Sequence, residues 1–238
     1  MNRQHFTIPF SQSAMPTWRC PNCHDGVLAG VKSSLKLYET SDSKAARDNP
    51  DWDHDWESQR FFLQLQCIKC SEPVLCVGDT QSVEEHDEEF GWVFSRALVP
   101  TYFEPAIPLI QVPKACPDEV HSEVLAAAAL YWSAPASSGN RIRACVERLM
   151  DAQAVASGTS LHARIQAFAS KNKDISDALL AIKWIGNTGS HSDELEASDV
   201  LDAFELLEYA LEELYEGRTA RLRALAGSIN LHKGPAPK

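Results

Sequence analysis

The sequence lacks the long apolar runs of a membrane protein. No stretch reaches the roughly 18 consecutive apolar residues from which a membrane-spanning helix is inferred. The N-terminus also lacks a basic segment followed by an apolar one, so it predicts no secretory signal, and we expect a cytoplasmic protein. Hydrophobic residues make up 44% of the 238 residues and charged residues 23%, which is typical of a globular protein with one large or two small domains.

The sequence also lacks a surplus of basic residues, and its net charge is -11. Residues 1–116 carry 10 Lys+Arg against 16 Asp+Glu, which gives -6. Residues 117–238 carry 12 against 17, which gives -5. Two acidic halves argue against strong non-specific binding to a nucleic-acid backbone. A local basic patch could still form around Arg141, Arg143 and Arg148.

Four of the seven cysteines form two Cys-x-x-Cys pairs, Cys20 with Cys23 and Cys67 with Cys70. Two such pairs, each joined to a predicted strand, are the pattern of a zinc ribbon, in which four thiolates surround Zn²⁺. The spacing between the pairs is longer than usual, and an acidic insertion at residues 39–60 accounts for the excess. The four cysteines are therefore the predicted ligands of a structural zinc ion.

Other roles for the cysteines remain open at this stage. A redox Cys-x-x-Cys would need a thioredoxin-like βαβ setting, which the sequence lacks, and two unrelated pairs of reduced thiols are the simplest alternative. His24 could replace one ligand. Cys76, Cys116 and Cys145 are predicted to be buried small hydrophobic residues.

Residues 1–116 are predicted to form a small antiparallel β domain. Pro9, Pro16 and several polar residues indicate an N-terminal arm, and five prolines predict an extended linker at 100–117. A short helix is expected near 42–48, inside the acidic insertion. Alternating apolar residues predict strands at Val27–Tyr38, Phe61–Gln66, Pro73–Gly78 and Trp92–Val99.

From Pro117 onward the apolar residues recur with a helical period and predict about five helices over residues 117–226. Gly186 and Asn187 interrupt this pattern and predict a break after the fourth helix. Residues 227–238 are predicted to be a disordered tail. The fold class is therefore α+β, with a small antiparallel zinc ribbon followed by an all-α bundle.

The helical half resembles domain of unknown function 4145, a helical domain found in stand-alone bacterial proteins and in type I restriction subunits, often behind a Cys-x-x-Cys ribbon. The resemblance covers roughly residues 118–217. It implies a bundle similar to the HEPN group, many of whose members are metal-independent ribonucleases that act as dimers. The residues that carry it are Arg143-x-x-x-Glu147, Leu161-x-x-x-Ile165, Ile182-Lys183-x-x-Gly186-Asn187-x-x-x-His191 and a long acidic helix ending in Leu214-Tyr215.

The resemblance implies a candidate ribonuclease site in which the sequence departs from the active pattern. Asn187 and His191 hold the last two positions of the HEPN motif, but Gly186 stands in the place of its arginine. His191 could act as the base for attack by a ribose 2′-OH. Lys183 or Arg143 would then have to stabilise the negative charge that develops on the phosphorus centre.

A structural interpretation competes with the catalytic one. Gly186 could allow two helices to approach closely, while Asn187 and His191 could serve helix ends. We therefore favour a non-catalytic adaptor or interaction protein, homodimeric through its bundle and linked by its family to defence or nucleic-acid systems. The alternatives are a metal-independent endoribonuclease and a nucleic-acid reader whose Trp18, Trp52 and Trp56 stack on bases.

Overall fold

The computed structural model describes residues 1–87, 91–170, 172–191 and 195–235, without the side chains of residues 85–87, 92, 93, 190 and 191. The chain divides into two compact units. The β unit contains Asn2–Leu109 and Ala128–Ala134. The helical unit contains Met1, Ile110–Ala127 and Pro135–Lys238.

The β unit is built on an antiparallel sheet in the order β1-β3-β4-β5, with β2 also paired to β3. Two short helices precede and interrupt the strands, and a 3-10 helix at His54–Trp56 follows the second. The elements are α1 Gln4–Thr7, β1 Leu28–Gly30, β2 Lys36–Glu39, α2 Ser41–Ala46, β3 Gln59–Cys67, β4 Pro73–Asp87 and β5 Gly91–Glu104.

One face of this sheet is the core of the β unit, because successive side chains in a strand point to opposite faces. Along β3, Phe61, Leu63 and Leu65 are buried and alternate with more exposed residues. Trp18 and Phe103 pack edge to face with ring centroids 5.0 Å apart. The core therefore joins apolar strand residues to an aromatic cluster.

The N-terminal residues belong to this core, so the prediction of an extended arm is wrong. Phe10 exchanges backbone hydrogen bonds with Leu98 and is only 3% exposed. Trp18 is 1% exposed and donates its indole N–H to the carbonyl oxygen of His5 at 2.7 Å. Trp18 therefore cannot stack on a base as the nucleic-acid hypothesis supposed.

Three strands also differ from the prediction, and one of them is β4, which was expected at Pro73–Gly78 but continues to Asp87. The single strand expected at Val27–Tyr38 is two short ones, β1 and β2, separated by a turn. Strand β5 continues to Glu104, into the predicted linker, and Pro100 lies within it. Proline is tolerated in an edge strand such as β5 because no ladder hydrogen bond depends on its missing N–H.

The helical unit contains most of α3 and all of five further helices among the described residues. Their inward positions follow the apolar period read from the sequence. In α4 these include Ile142, Val146 and Leu149, and in α7 Phe204 and Leu207, all fully buried. The helices are α3 Asp118–Tyr131, α4 Pro135–Ala152, α5 Leu161–Ala169, α6 Lys173–His191, α7 Ala197–Tyr215 and α8 Arg218–His232.

Two features of the helical unit differ from the prediction. Helix α6 does not break at Gly186-Asn187 but continues to His191. The helix α8, which follows Gly217, extends to His232 and so into the segment 227–238 that was predicted to be disordered. Its alanine, leucine and arginine residues favour a helix even though none of them is buried.

None of the described helices is long and apolar enough to cross a bilayer.

Candidate metal centre

Two cysteine turns of the β unit have nearly the same backbone. In the first, the N–H of His24 donates to the carbonyl oxygen of Cys20 at 3.1 Å, and in the second Ser71 donates to Cys67 at 3.0 Å. His24 and Ser71 both have a left-handed backbone, with φ of 58° and 63°. Each turn therefore reverses the chain at the residue after its second cysteine.

Backbone amides point at the sulfur atoms in both turns. The Sγ of Cys20 accepts from the N–H groups of Asn22 at 3.4 Å and Cys23 at 3.5 Å. The Sγ of Cys67 accepts from Lys69 at 3.4 Å and Cys70 at 3.5 Å. Such donors stabilise thiolates, which are the form of cysteine that binds metals.

The four sulfur atoms converge. All four lie within 4.8 Å of one another. The Sγ atoms of Cys20 and Cys70 are 3.6 Å apart, and those of Cys23 and Cys67 are 3.7 Å apart. A tetrahedral site with metal–sulfur bonds of about 2.3 Å requires sulfur–sulfur separations of roughly 3.8 Å. The arrangement therefore fits a four-coordinate metal ion.

Gly26 allows the first turn to pass close to the second. A Cβ atom at Gly26 would lie 2.3 Å from the Sγ of Cys67 and 3.1 Å from that of Cys23. The backbone of Gly26 is not left-handed, so the close approach to the second turn is what requires a glycine there. The N–H of Gly26 also donates to the Sγ of Cys23 at 3.3 Å.

Cys20 and Cys67 are the two buried cysteines of the centre, and their pKa values are shifted in opposite directions. Burial raises the pKa of Cys20 to about 12. Burial also acts on Cys67, but the N–H donors of Cys70 and Lys69 outweigh it and lower the pKa of Cys67 to about 6. The thiolate of Cys67 is thus favoured before a metal binds, whereas metal binding at Cys20 would release the thiol proton to solvent.

The remaining cysteines stand apart from this centre. Cys76 in β4, Cys116 and Cys145 are buried, and burial raises the pKa of each thiol. Among the described residues, no other group of three or more His, Cys, Asp or Glu side chains meets the spacing for a metal ion, and His24 is exposed outside the sulfur cluster.

The helical unit brings Gly186 and Arg143 together but in a packing role. A Cβ atom at Gly186 would lie 2.6 Å from the Cβ of Arg143 and 2.8 Å from the carbonyl oxygen of Gly139. A Cβ atom at Gly189, one turn later, would likewise lie 2.6 Å from the carbonyl oxygen of Ala136. These glycines allow α6 to pack closely on α4.

The other candidate residues of this unit have separate partners. Arg143 pairs with Glu147 at 3.0 Å. The Nζ of Lys183 lies 3.4 Å from the ring centroid of Trp184. Asn187 is half-buried in α6. His191 is the last residue of α6, and its side chain lies outside the described part of the structure.

The suspected basic patch is largely neutralised by acids. Arg141 pairs with Glu123 at 2.8 Å. Arg148 lies 3.8 Å from both Glu123 and Asp151. Together with the Arg143–Glu147 pair, these contacts remove the unbalanced positive charge that binding to a phosphate backbone requires.

Sequence reasoning missed several residues that shape these regions. Gly26 is one of them, although a glycine three residues after a knuckle cysteine was a visible signal. Asn22 donates its side-chain amide to the Sγ of Cys70 at 3.8 Å. Gly189 follows Gly186 at the i+3 spacing that places both on one helix face. Arg164 is 8% exposed, and its role had no sequence signal.

Comparisons with known proteins divide the chain in nearly the same way. Residues 125–230 match the model of a domain of unknown function, DUF4145. Residues 8–103 match the model of a second domain of unknown function, DUF8608. The chain has no significant match among curated proteins or solved structures. The match over residues 125–230 confirms the resemblance read from the helical motifs, and the match over residues 8–103 adds a similarity that the sequence motifs did not indicate.

Proposed function

We propose that the four cysteines bind one structural zinc ion that stabilises the β unit. This proposal rests on two sulfur–sulfur distances of 3.6 and 3.7 Å, each of which joins a cysteine of the first turn to a cysteine of the second. Cys20, Cys23, Cys67 and Cys70 would fill all four positions of a tetrahedron, which leaves no place for a substrate or a reactive water. A closed site of this kind supplies folding free energy and no catalysis.

We further propose that the whole chain is a non-catalytic interaction protein. Gly186 packs closely on α4, which explains the Gly-Asn segment by helix packing without a catalytic role. Arg143 and Lys183, which would have to balance charge in a ribonuclease, already contact Glu147 and the ring of Trp184. These contacts support the structural interpretation over the endoribonuclease that His191 and Asn187 suggested.

The resemblance to HEPN-like domains supplies the rest of the proposal. On that basis the chain forms a homodimer through its helical bundle, works in the cytoplasm and acts beside bacterial defence or nucleic-acid-linked systems. A reducing cytoplasm is compatible with a centre made of free thiols.

Metal analysis of the purified protein tests the zinc proposal. We expect one zinc per chain, and Co²⁺ in its place should give the absorption of a tetrahedral four-thiolate site. Cys67→Ala should lose the metal, whereas Cys116→Ala, a buried cysteine outside the cluster, should keep it. Iron instead of zinc, or equal metal content in both variants, would contradict the assignment.

Incubation with mixed RNA tests the absence of catalysis. The protein and its His191→Ala variant should leave the RNA equally intact over the same period. Cleavage by the parent protein that His191→Ala abolishes would replace the interaction role with the ribonuclease role.

A further inference from the structure

The acidic insertion forms one wall of a cleft in the β unit. The cleft has a volume of about 760 Å³, and its lining includes Tyr38, Asp42, Trp56, Arg60 and Asp79. That volume lies in the range of about 300 to 1,000 Å³ that is usual for ligand sites. Neither the metal centre nor the helical unit contributes a lining residue.

Hydrogen bonds hold the base of this cleft. The Oε1 of Glu39 accepts from the hydroxyl of Ser43 at 2.9 Å and from the Nε of Arg47 at 2.8 Å. The backbone N–H of Ser58 donates to the Ser43 hydroxyl at 3.2 Å. The hydrogen bond from Arg47 lowers the pKa of Glu39. Glu39 is thus an ionised structural group, and the cleft is preformed.

Two aromatic side chains at the cleft remain open to solvent. Tyr38 is 62% exposed and Trp56 is 45% exposed. The faces of such rings attract cations. Asp42 is also exposed, and Asp79 lies 3.9 Å from the Nε of Arg60. The charged residues that line the cleft are Glu39, Asp42 and Asp79 against Arg60, a net charge of -2. The chemistry of the cleft therefore suits a positively charged group.

The sheet continues the cleft as a row of apolar side chains, with the exposed Lys36 beside Phe62 at its β2 end. Tyr38, Arg60 and Asp79 are direct neighbours across β2, β3 and β4. Two residues along on the same face, Phe62 neighbours Val77, which in turn neighbours Tyr102. Direct neighbours in an antiparallel pair share a face. Phe62 and Val77 are half-buried, and Tyr102 is 46% exposed, on the face opposite the core.

We propose that this surface binds a basic peptide segment of a partner protein, an inference that rests on the proposed interaction role. A lysine or arginine of the peptide occupies the cleft with Tyr38 and Trp56, and Asp42 and Asp79 balance its charge. Apolar residues beside it cover Phe62, Val77 and Tyr102. A free polyamine would leave that row uncovered, and the acid surplus repels nucleic-acid phosphate.

Anisotropy of a fluorescent peptide tests the proposal on the full-length, zinc-loaded protein. The probe alternates arginine and leucine, and a matched peptide has glutamate in place of arginine. We expect the arginine peptide to bind at least about tenfold more tightly than the glutamate peptide. Its binding should weaken in high salt, because exposed charges are screened. Spermine should compete only weakly.

Variants of the cleft distinguish a cation site from a general apolar surface. Asp42→Asn and Trp56→Ala should each weaken binding by about three- to tenfold. Arg60→Gln should strengthen binding, because it removes a competing cation beside Asp79. The matched control is Asp51→Asn, an exposed acid of the same insertion outside the cleft, which should change nothing.

Several results would overturn this assignment. They are equal binding of both peptides, weaker binding by Arg60→Gln, an equal effect of Asp51→Asn and Asp42→Asn, or tight binding of spermine that excludes the peptide. The zinc content of the same samples and the RNA assay do not depend on peptide binding. A zinc-loaded, RNA-inert protein that fails to bind peptide would therefore reject the cleft assignment and leave the zinc centre in place.

Discussion

Gly26 is the residue of the metal centre that is most sensitive to added volume. Replacing it with alanine would place a methyl group 2.3 Å from the Sγ of Cys67 and 2.9 Å from the Cβ of Lys69. The second cysteine turn would have to move, and a shift of a few tenths of an ångström already matters for metal–sulfur bonds. We expect Gly26→Ala to lower zinc affinity by at least about tenfold in a chelator competition.

Gly30→Ala is the control for this prediction. Its Cβ would lie 2.8 Å from the Sδ of Met15, the far part of a flexible side chain, so the neighbour can move away. Zinc affinity should therefore remain at the parent value. Equal losses in the two variants would mean that Gly26 affects the fold of the β unit and not the geometry of the sulfur atoms.

Asp151 compensates a buried charge in the helical unit. Arg164 is 8% exposed and donates from the same Nη2 to the Oδ1 of Asp151 at 2.7 Å and to the carbonyl oxygen of Val155 at 3.0 Å. Asp151→Asn should lower the free energy of unfolding by about 1 to 2 kcal/mol, because the asparagine Oδ1 can still accept the hydrogen bond but the charge opposite the buried guanidinium is lost.

Denaturant unfolding measures that change, with Glu147→Gln as the matched variant. Glu147 pairs with Arg143, whose side chain is 31% exposed against 9% for Arg164, so the replacement of Glu147 should cost only about 0.5 kcal/mol or less. A loss for Asp151→Asn that is no larger than the loss for Glu147→Gln would contradict a special role for the buried guanidinium.

At the scale of elements, the contact between α4 and α6 depends on glycine. Gly186→Ala would place a methyl group 2.6 Å from the Cβ of Arg143 and 2.8 Å from the backbone of Gly139. Overpacking of this kind costs about 1 to 3 kcal/mol. Alanine gains about 1 kcal/mol in helix propensity. We expect thermal unfolding to show a net loss of up to about 2 kcal/mol, the overpacking cost less the gain in propensity.

Gly227→Ala in α8 supplies the opposite case. A Cβ atom at Gly227 meets nothing within 4 Å, so only the helix propensity changes. Circular dichroism should show equal or greater helix content and no lower melting temperature. Should Gly186→Ala also raise the melting temperature, the close approach of the two helices would not be a constraint.

The same glycines explain what the sequence could predict about the helices. The apolar period placed α4, α6 and α7, because buried positions such as Ile142, Ile182 and Phe204 recur on one helix face. It failed at Gly186-Asn187, where propensity favoured a break. Propensity describes an isolated helix, whereas Gly186 is buried against α4 and the helix continues through it.

For the whole molecule, the cysteine pairs were predictable because ligand type and spacing follow from coordination chemistry. The cleft was not predictable in this way. Tyr38 and Asp79 are distant in sequence, and only the pairing of β2, β3 and β4 brings them to one side of the sheet. The acidic insertion was visible in the sequence. That its exposed Trp56 lies at the same cleft as Tyr38 could be seen only in the structure.

Metal removal should act differently on the two units, because each has its own core. The four sulfur atoms come from residues that are far apart in the β unit, from Cys20 to Cys70, so the proposed zinc ion would contribute folding free energy there. After chelation, backbone amides of β3 and of both cysteine turns should exchange hydrogen much faster. Amides of α4 and α6 should keep their protection, since Leu149 and Leu179 remain buried without the metal.

Hydrogen-exchange mass spectrometry measures both regions in one sample, with Cys116→Ala as the metal-retaining control. Unchanged exchange in β3, or equal loss in α4 and α6, would contradict a metal centre that stabilises the β unit alone.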